Sequence, residues 1–240
     1  MPEFGAPHRH FSRTDSTNTR ARELAEAGAP HGTVVTAGEQ SEGRGRQGRV
    51  WTAPAGKGLL YSAVLRPLDE RHMLLPLSVP IAVCEAAESL RPDIACQIKW
   101  PNDVWLEGRK LAGILIEARP QDGWAVIGVG LNLSVAPDEF PAELRWPAIS
   151  LAGGVTAEEA RRALDAALDR WVDADEGAVL SEWRERDALR GREIAWDDRS
   201  GGSEELSGVA DGVDERGNLL VVTAGGDSVA LGAGEVHLRL

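Results

Sequence analysis

From residue 124 to residue 133 every odd position is apolar: Ala125, Ile127, Val129, Leu131 and Leu133. A period of two belongs to a β-strand, so this face lies in a sheet against a core. The even positions read Trp124, Val126, Gly128, Gly130 and Asn132. Glycines there either mark bulges or clear space beside the strand, with the Asn132 amide next to it. Residues 109–118 read as a second strand. On it Lys110 shares a face with Ala112, Ile114 and Ile116, and Leu111, Gly113 and Leu115 take the other. With both faces apolar, Lys110 either snorkels from the strand's end or is a cation held ready for a substrate anion. Residues 33–37, 58–66, 95–100 and 103–107 read as further strands.

The helices interleave with these strands. Residues 17–28 follow a capping residue, Asp15 or Ser16, and end at Gly28. Residues 70–90 carry helical spacing, with Pro76 and Pro80 expected to break or kink the start. Thr156 and Glu159 form a capping-box pattern, followed by an apolar stripe of Ala160, Ala163, Leu164, Ala167, Leu168, Trp171 and Val172. A further helix is expected at 177–189. Beyond Gly191, short strands alternate with polar turns at 198–202, 214–218 and 225–227, the texture of a small β-barrel. The division is therefore 1–189 and 190–240.

The 240 residues carry a formal net charge of −12, which argues against a general nucleic-acid binder. No apolar run reaches membrane-spanning length, and no secretory h-region opens the sequence. Two cysteines are too few for a disulfide scaffold. A cytoplasmic protein without a membrane partner is expected. Against that acidic background, residues 43–49 (GRGRQGR) place three arginines and three glycines together, with Trp51 behind them. Guanidinium forks match carboxylate and phosphate oxygens. Glycine permits positive φ and close backbone approach. Such a loop suits a small anion carrying a ring, a nucleotide or acyl-nucleotide; a disordered RNA-binding segment is the alternative.

Other candidates have two readings each. Lys99, Trp100, Pro101, Asn102 and Asp103 form either a plain turn or one that aims Asn102 and Asp103 into a cleft. Ser16, Thr17 and Asn18 cap a helix or offer hydroxyls and amides to a polar ligand.

Taken together, GRGRQGRVW at 43–51, KWPND at 99–103, RKLAGILIE at 109–117 and GVGLN at 128–132 resemble the biotin–protein ligase family, in order and spacing. Residues 15–18 (DSTN) and Glu39-Gln40 match as well. The resemblance implies an α+β fold: a mixed-sheet catalytic domain similar to the class II aminoacyl-tRNA synthetase core, plus a small C-terminal SH3-like β-barrel. It implies biotin contacts at Ser16, Thr17, Asn18, Gln40, Gly43, Arg44, Gly45, Lys110 and Gly113. ATP or adenylate contacts fall to Arg46, Arg49, Trp51, Asn102, Asn132 and, in the closing segment, Arg239. Lys110 and Arg46 carry the chemistry. ATP and biotin are the substrates, with Mg²⁺ whose ligands are not assigned. The partner is a biotin carboxyl carrier domain. Many members also carry an N-terminal DNA-binding domain and repress operons. No such segment is read here, so neither repression nor a DNA partner is expected. Lipoate–protein ligases share the chemistry but carry a different loop.

Overall fold

The two strands read most directly pair along their length. β6 (Arg109–Arg119) and β7 (Trp124–Asn132) are antiparallel neighbours in the middle of a seven-stranded sheet. The structure, a computed structural model, describes residues 3–144, 146–197, 205–232 and 236–238. The sheet's other strands are β1 (His8–Phe11), β2 (Val34–Ala37), β3 (Gly58–Leu65), β4 (Cys96–Lys99) and β5 (Asp103–Leu106). Their order is β1-β2-β3-β7-β6-β5-β4. Only β1–β2 is parallel within it, so the sheet is mixed.

The alternation in β7 sorts two cores. Ala125, Ile127, Val129, Leu131 and Leu133 join the main core. Trp124 and Val126 face the other way, onto Ala21 and Ala25 of α1 (Thr17–Glu26). The main core lies beneath α2 (Leu75–Leu90), α3 (Ala157–Trp171) and α4 (Glu176–Glu185). The capping box of α3 is present: Thr156 Oγ1 accepts from the Glu159 N–H at 3.2 Å, and Glu159 Oε2 accepts from the Thr156 N–H at 2.9 Å. Asp165 interrupts its apolar face yet is buried, because it accepts from the Tyr61 hydroxyl at 2.8 Å and pairs with Arg161.

Two expectations need correction. Pro80 does not break α2, which runs continuously through it, with Pro76 in its first turn. The missing N–H costs one helical bond, and burial of α2 on nearly every side offsets that. β1 was not foreseen, since its HRHF sequence is polar and largely exposed. It is an edge strand held by its register on β2.

The C-terminal strands are β8 (Glu193–Asp197), β9 (Glu205–Val213), β10 (Leu219–Thr223), β11 (Ser228–Leu231) and β12 (Val236–Leu238). They form one antiparallel sheet in the order β11-β10-β9-β8-β12. Among the described residues β11 and β12 are its two edges, so an open sheet stands where a closed barrel was expected. Ile194, Trp196, Ala210, Val213, Leu219 and Val221 of this sheet join the main core. Trp100 Nε1 also donates to Gly217 O at 3.1 Å. The turn expected at 198–202 lies outside the described residues. Among the described residues no helix is long and apolar enough to cross a membrane.

Candidate active site

The open face of β6 and β7 floors a cavity of about 450 Å³. Gly113 and Gly130 are cross-strand partners in that floor. A Cβ on Gly130 would stand 2.3 Å from Trp51 Cε2, and one on Gly113 2.9 Å from Trp51 Cζ3. Gly128 serves another side chain: its Cβ would lie 2.0 Å from Asn18 Oδ1. The register of β7 runs unbroken past these glycines on both sides, so they clear space and mark no bulge.

A bulge does occur elsewhere, and it decides where Lys110 goes. Val104 pairs with Ala112 but Trp105 pairs with Lys110, so Leu111 is the extra residue on β6. Leu111 and Ala112 both enter the core, and Lys110 turns to the opposite face from the expected one. Its Nζ lies 3.3 Å from the Gly113 Cβ position and 5.6 Å from the Trp51 ring centroid. It pairs with Asp103 Oδ1 at 2.7 Å. The 99–103 turn therefore does aim its carboxylate into the cleft. The Asn102 amide donates to Ile114 O at 2.8 Å, tying the turn to β6. Asn132, buried, donates to Ile149 O at 3.1 Å and holds the 147–149 segment beside Lys110.

The arginine loop closes as a small hairpin. Gly45 N–H donates to Arg49 O at 2.8 Å and Trp51 N–H to Gly43 O at 3.0 Å. Gly48 takes φ 74°, as a glycine should, but Gln47 beside it also takes φ 55°, a conformation that costs ~1 kcal/mol or more for a residue with a Cβ. Gly43 is not brought to the cavity. It forms the neck of the loop, where a Cβ would sit 2.2 Å from the Trp51 carbonyl oxygen. Arg44, Gly45, Arg46 and Arg49 all reach the cavity. Arg44 pairs with Glu117 at 3.0 Å.

Ser16 precedes α1 as its N-cap, yet its side chain makes no capping bond. Gln40 caps instead, its Oε1 accepting from the Thr17 N–H at 2.7 Å. Ser16, Thr17, Asn18 and Gln40 together form the polar end of the cavity. Arg239 lies outside the described residues.

Sequence reasoning missed the far wall. Lys99 is buried with its Nζ 5.9 Å from the Trp105 ring and 5.2 Å from the Trp146 ring, and the two indoles lie 5.5 Å apart. Lys99 and Trp146 line the cavity, with Phe140 and Leu144 from the loop before Trp146, and Trp105 packs behind them. Lys99 opens the 99–103 segment, whose expected site residues were Asn102 and Asp103 alone. Nothing local marked Trp146. A second cavity of about 330 Å³ adjoins the first through Arg46, Pro101 and Asn102 and reaches Arg216 and Asn218. No group of three His, Cys, Asp or Glu able to hold a metal occurs among the described residues.

Residues 10–133 match the biotin/lipoate A/B protein ligase family. The biotin–[acetyl-CoA-carboxylase] ligase of Mycobacterium tuberculosis is 34% identical over 244 residues, covering 95% of this chain and 88% of that protein. The bifunctional ligase/repressor BirA of Bacillus subtilis is 40% identical over 141 residues, 57% of this chain but only 43% of BirA. Among solved structures, a biotin protein ligase from Aquifex aeolicus in complex with biotin and ATP superposes with a TM-score of 0.77 at 27% identity, covering 98% of this chain and 99% of that one.

Proposed function

Since the chain belongs to the biotin/lipoate A/B protein ligase family, we propose that it activates biotin with ATP to biotinyl-5′-AMP and transfers the biotinyl group to a lysine of a carrier domain. The observation that carries this reading is a single cavity gathering Arg46, Arg49 and Lys110 with an indole and a polar end of Ser16, Thr17 and Gln40. Those three cations suit a carboxylate approaching a polyphosphate. The ring of biotin takes the polar end, and its carboxylate reaches toward Lys110.

In the first step a carboxylate oxygen attacks the α-phosphorus and pyrophosphate leaves. Each pair of like charges at about 4 Å opposes this by ~4 kcal/mol at an effective dielectric near 20. Lys110 is preplaced on the Asp103 carboxylate at 2.7 Å, a partner that the substrate carboxylate replaces. Arg46 and Arg49 stabilise the developing phosphate charge, and Trp51 offers its face to the adenine. In the second step a carrier lysine attacks the anhydride and AMP leaves. The loop at 43–51 covers the anhydride until then.

No three carboxylates, imidazoles or thiols converge among the described residues, so the residues present do not make a protein cage for magnesium. Mg²⁺ would enter with the nucleotide, on its phosphates.

The partner in this reading is a biotin carboxyl carrier domain and the compartment the cytoplasm. The chain divides into 1–189, akin to the class II synthetase core, and 190–240, a module of SH3-like type whose Arg239 serves ATP. Exchange of labelled pyrophosphate into ATP tests the first step: it requires biotin if the reading holds. Exchange that is absent, or indifferent to biotin, rejects it.

A further inference from the structure

Two stretches of chain border the cavity on opposite sides of the sheet's centre, and one lysine that does not line it touches both. The first is the arginine loop, which runs on to Lys57 just before β3. The second leaves β7 after Asn132 and returns at Leu151. Its two ends meet: the Leu151 N–H donates to Asn132 O at 2.9 Å and the Ala152 N–H to Leu133 O at 2.8 Å. Its far part carries Phe140, Leu144 and Trp146 to the cavity. A loop closed at its base in this way keeps freedom at its tip unless something ties the tip down.

Lys57 grips that loop twice. Its carbonyl accepts from the Leu133 and Ser134 N–H groups, both at 3.0 Å. Its Nζ lies 2.5 Å from each oxygen of the Glu139 carboxylate, and Glu139 directly precedes Phe140. The carboxylate is itself held, because Oε2 also accepts from the Ala136 N–H at 2.9 Å and so caps the short turn Pro137–Glu139. On its other side Lys57 is set by the end of the arginine loop. Its N–H donates to Pro54 O at 3.0 Å, and the Gly56 N–H donates to Gly38 O at 3.0 Å. An exposed ion pair adds little to folding. This one pins the approach to Phe140, so its effect falls on where the wall of the cavity stands.

We propose that Lys57 and Glu139 are positioning residues that tie the loop of Phe140 and Trp146 to the end of the arginine loop, so that the two move as one cover over the activated intermediate. The inference rests on the biotin reading and deepens it, by naming what keeps the adenylate in place between the two steps. A mixed anhydride must be shielded from water on both sides. A cover made of two independent loops opens whenever either one swings, whereas a tied cover opens only when both do.

The test compares Lys57→Met, which keeps the aliphatic stem and loses the charge, with Lys57→Arg, which keeps a charge able to meet a carboxylate with two donors. Each full-length protein is loaded with labelled biotin and MgATP in the absence of carrier, and release of biotinyl-5′-AMP is followed after a chase. Lys57→Met releases the adenylate about three- to fivefold faster than wild type, and Lys57→Arg restores retention. The KM for biotin stays near wild type, and Tm stays within about 2 °C. Glu139→Gln keeps an oxygen for the Ala136 N–H, loses the charge, and matches Lys57→Met. The two changes together cost no more than either one, because they remove a single contact. Unchanged release in Lys57→Met overturns the proposal, as does equal release in the methionine and arginine variants or an additive double variant. A faster release that comes with a larger fall in Tm also overturns it, since that marks general damage. Should Lys57→Met fail to fold, Glu139→Gln carries the comparison with the same outcomes. A wild-type chain that forms no adenylate overturns instead the reading beneath it, before any variant is compared.

Discussion

Lys110 turns toward the cavity because one extra residue, Leu111, is taken up by a bulge opposite Val104 and Trp105. Strict alternation put the lysine on the face of Ala112, Ile114 and Ile116, and no local pattern marks a bulge of this kind. The glycines were more legible. Gly128 and Gly130 read as either bulges or cleared space, and the side chains of Asn18 and Trp51 now occupy that space. In the proposed reaction, replacing Lys110 with alanine removes the cation that meets the attacking carboxylate. Biotin-dependent pyrophosphate exchange should fall about 10²-fold or more; full activity would take Lys110 out of the chemistry. Gly130→Ala would push the indole from its seat, since the new Cβ would lie 2.3 Å from Trp51 Cε2. The expected fall in kcat/KM for ATP is about 10²-fold, with the fold retained by circular dichroism.

At the scale of elements, the sequence specified α3, β6 and β7 well because each satisfies several local rules at once. α3 has its capping box and its stripe. Thr156→Ala should lower stability by ~1 kcal/mol, which for a chain of this size is about 2–4 °C in Tm, without change in activity. β1 and the Trp105–Trp146 wall were illegible for the opposite reason. Pairing with β2 and packing across the cleft define them, not their own composition. The entry to α1 depends on Asp15. Burial alone would raise its pKa, but hydrogen bonds from Arg20, the Ser16 N–H and Thr14 hold it down at about 2. A carboxylate depressed below its unfolded value of about 4 adds stability that is complete above that pH and is lost as pH falls through 2. Denaturation midpoints measured between pH 4 and pH 2 should therefore fall less steeply in Asp15→Asn than in wild type. Parallel curves would show that Asp15 contributes nothing there.

On the scale of the whole molecule, the seven-stranded sheet brings together segments that are far apart in sequence: the helix entry at 16–18, the arginine loop, the turn at 99–103, β6, β7 and the segment before Leu151. Five of these were legible as motifs, but their convergence on one cavity is a property of strand order. The C-terminal sheet shares the main core and meets the seven-stranded sheet's side of the molecule at Trp100 and Gly217, so the second cavity sits where the two join. The central claim is transfer of biotin to protein. It is tested most directly by incubating the full chain with biotin, MgATP and a purified carrier domain, with lipoate in a parallel arm, and measuring the mass of the carrier. The account predicts the gain of one biotinyl group on a single carrier lysine, dependent on ATP, and no gain with lipoate. An unmodified carrier in the biotin arm, or modification with lipoate alone, would contradict it.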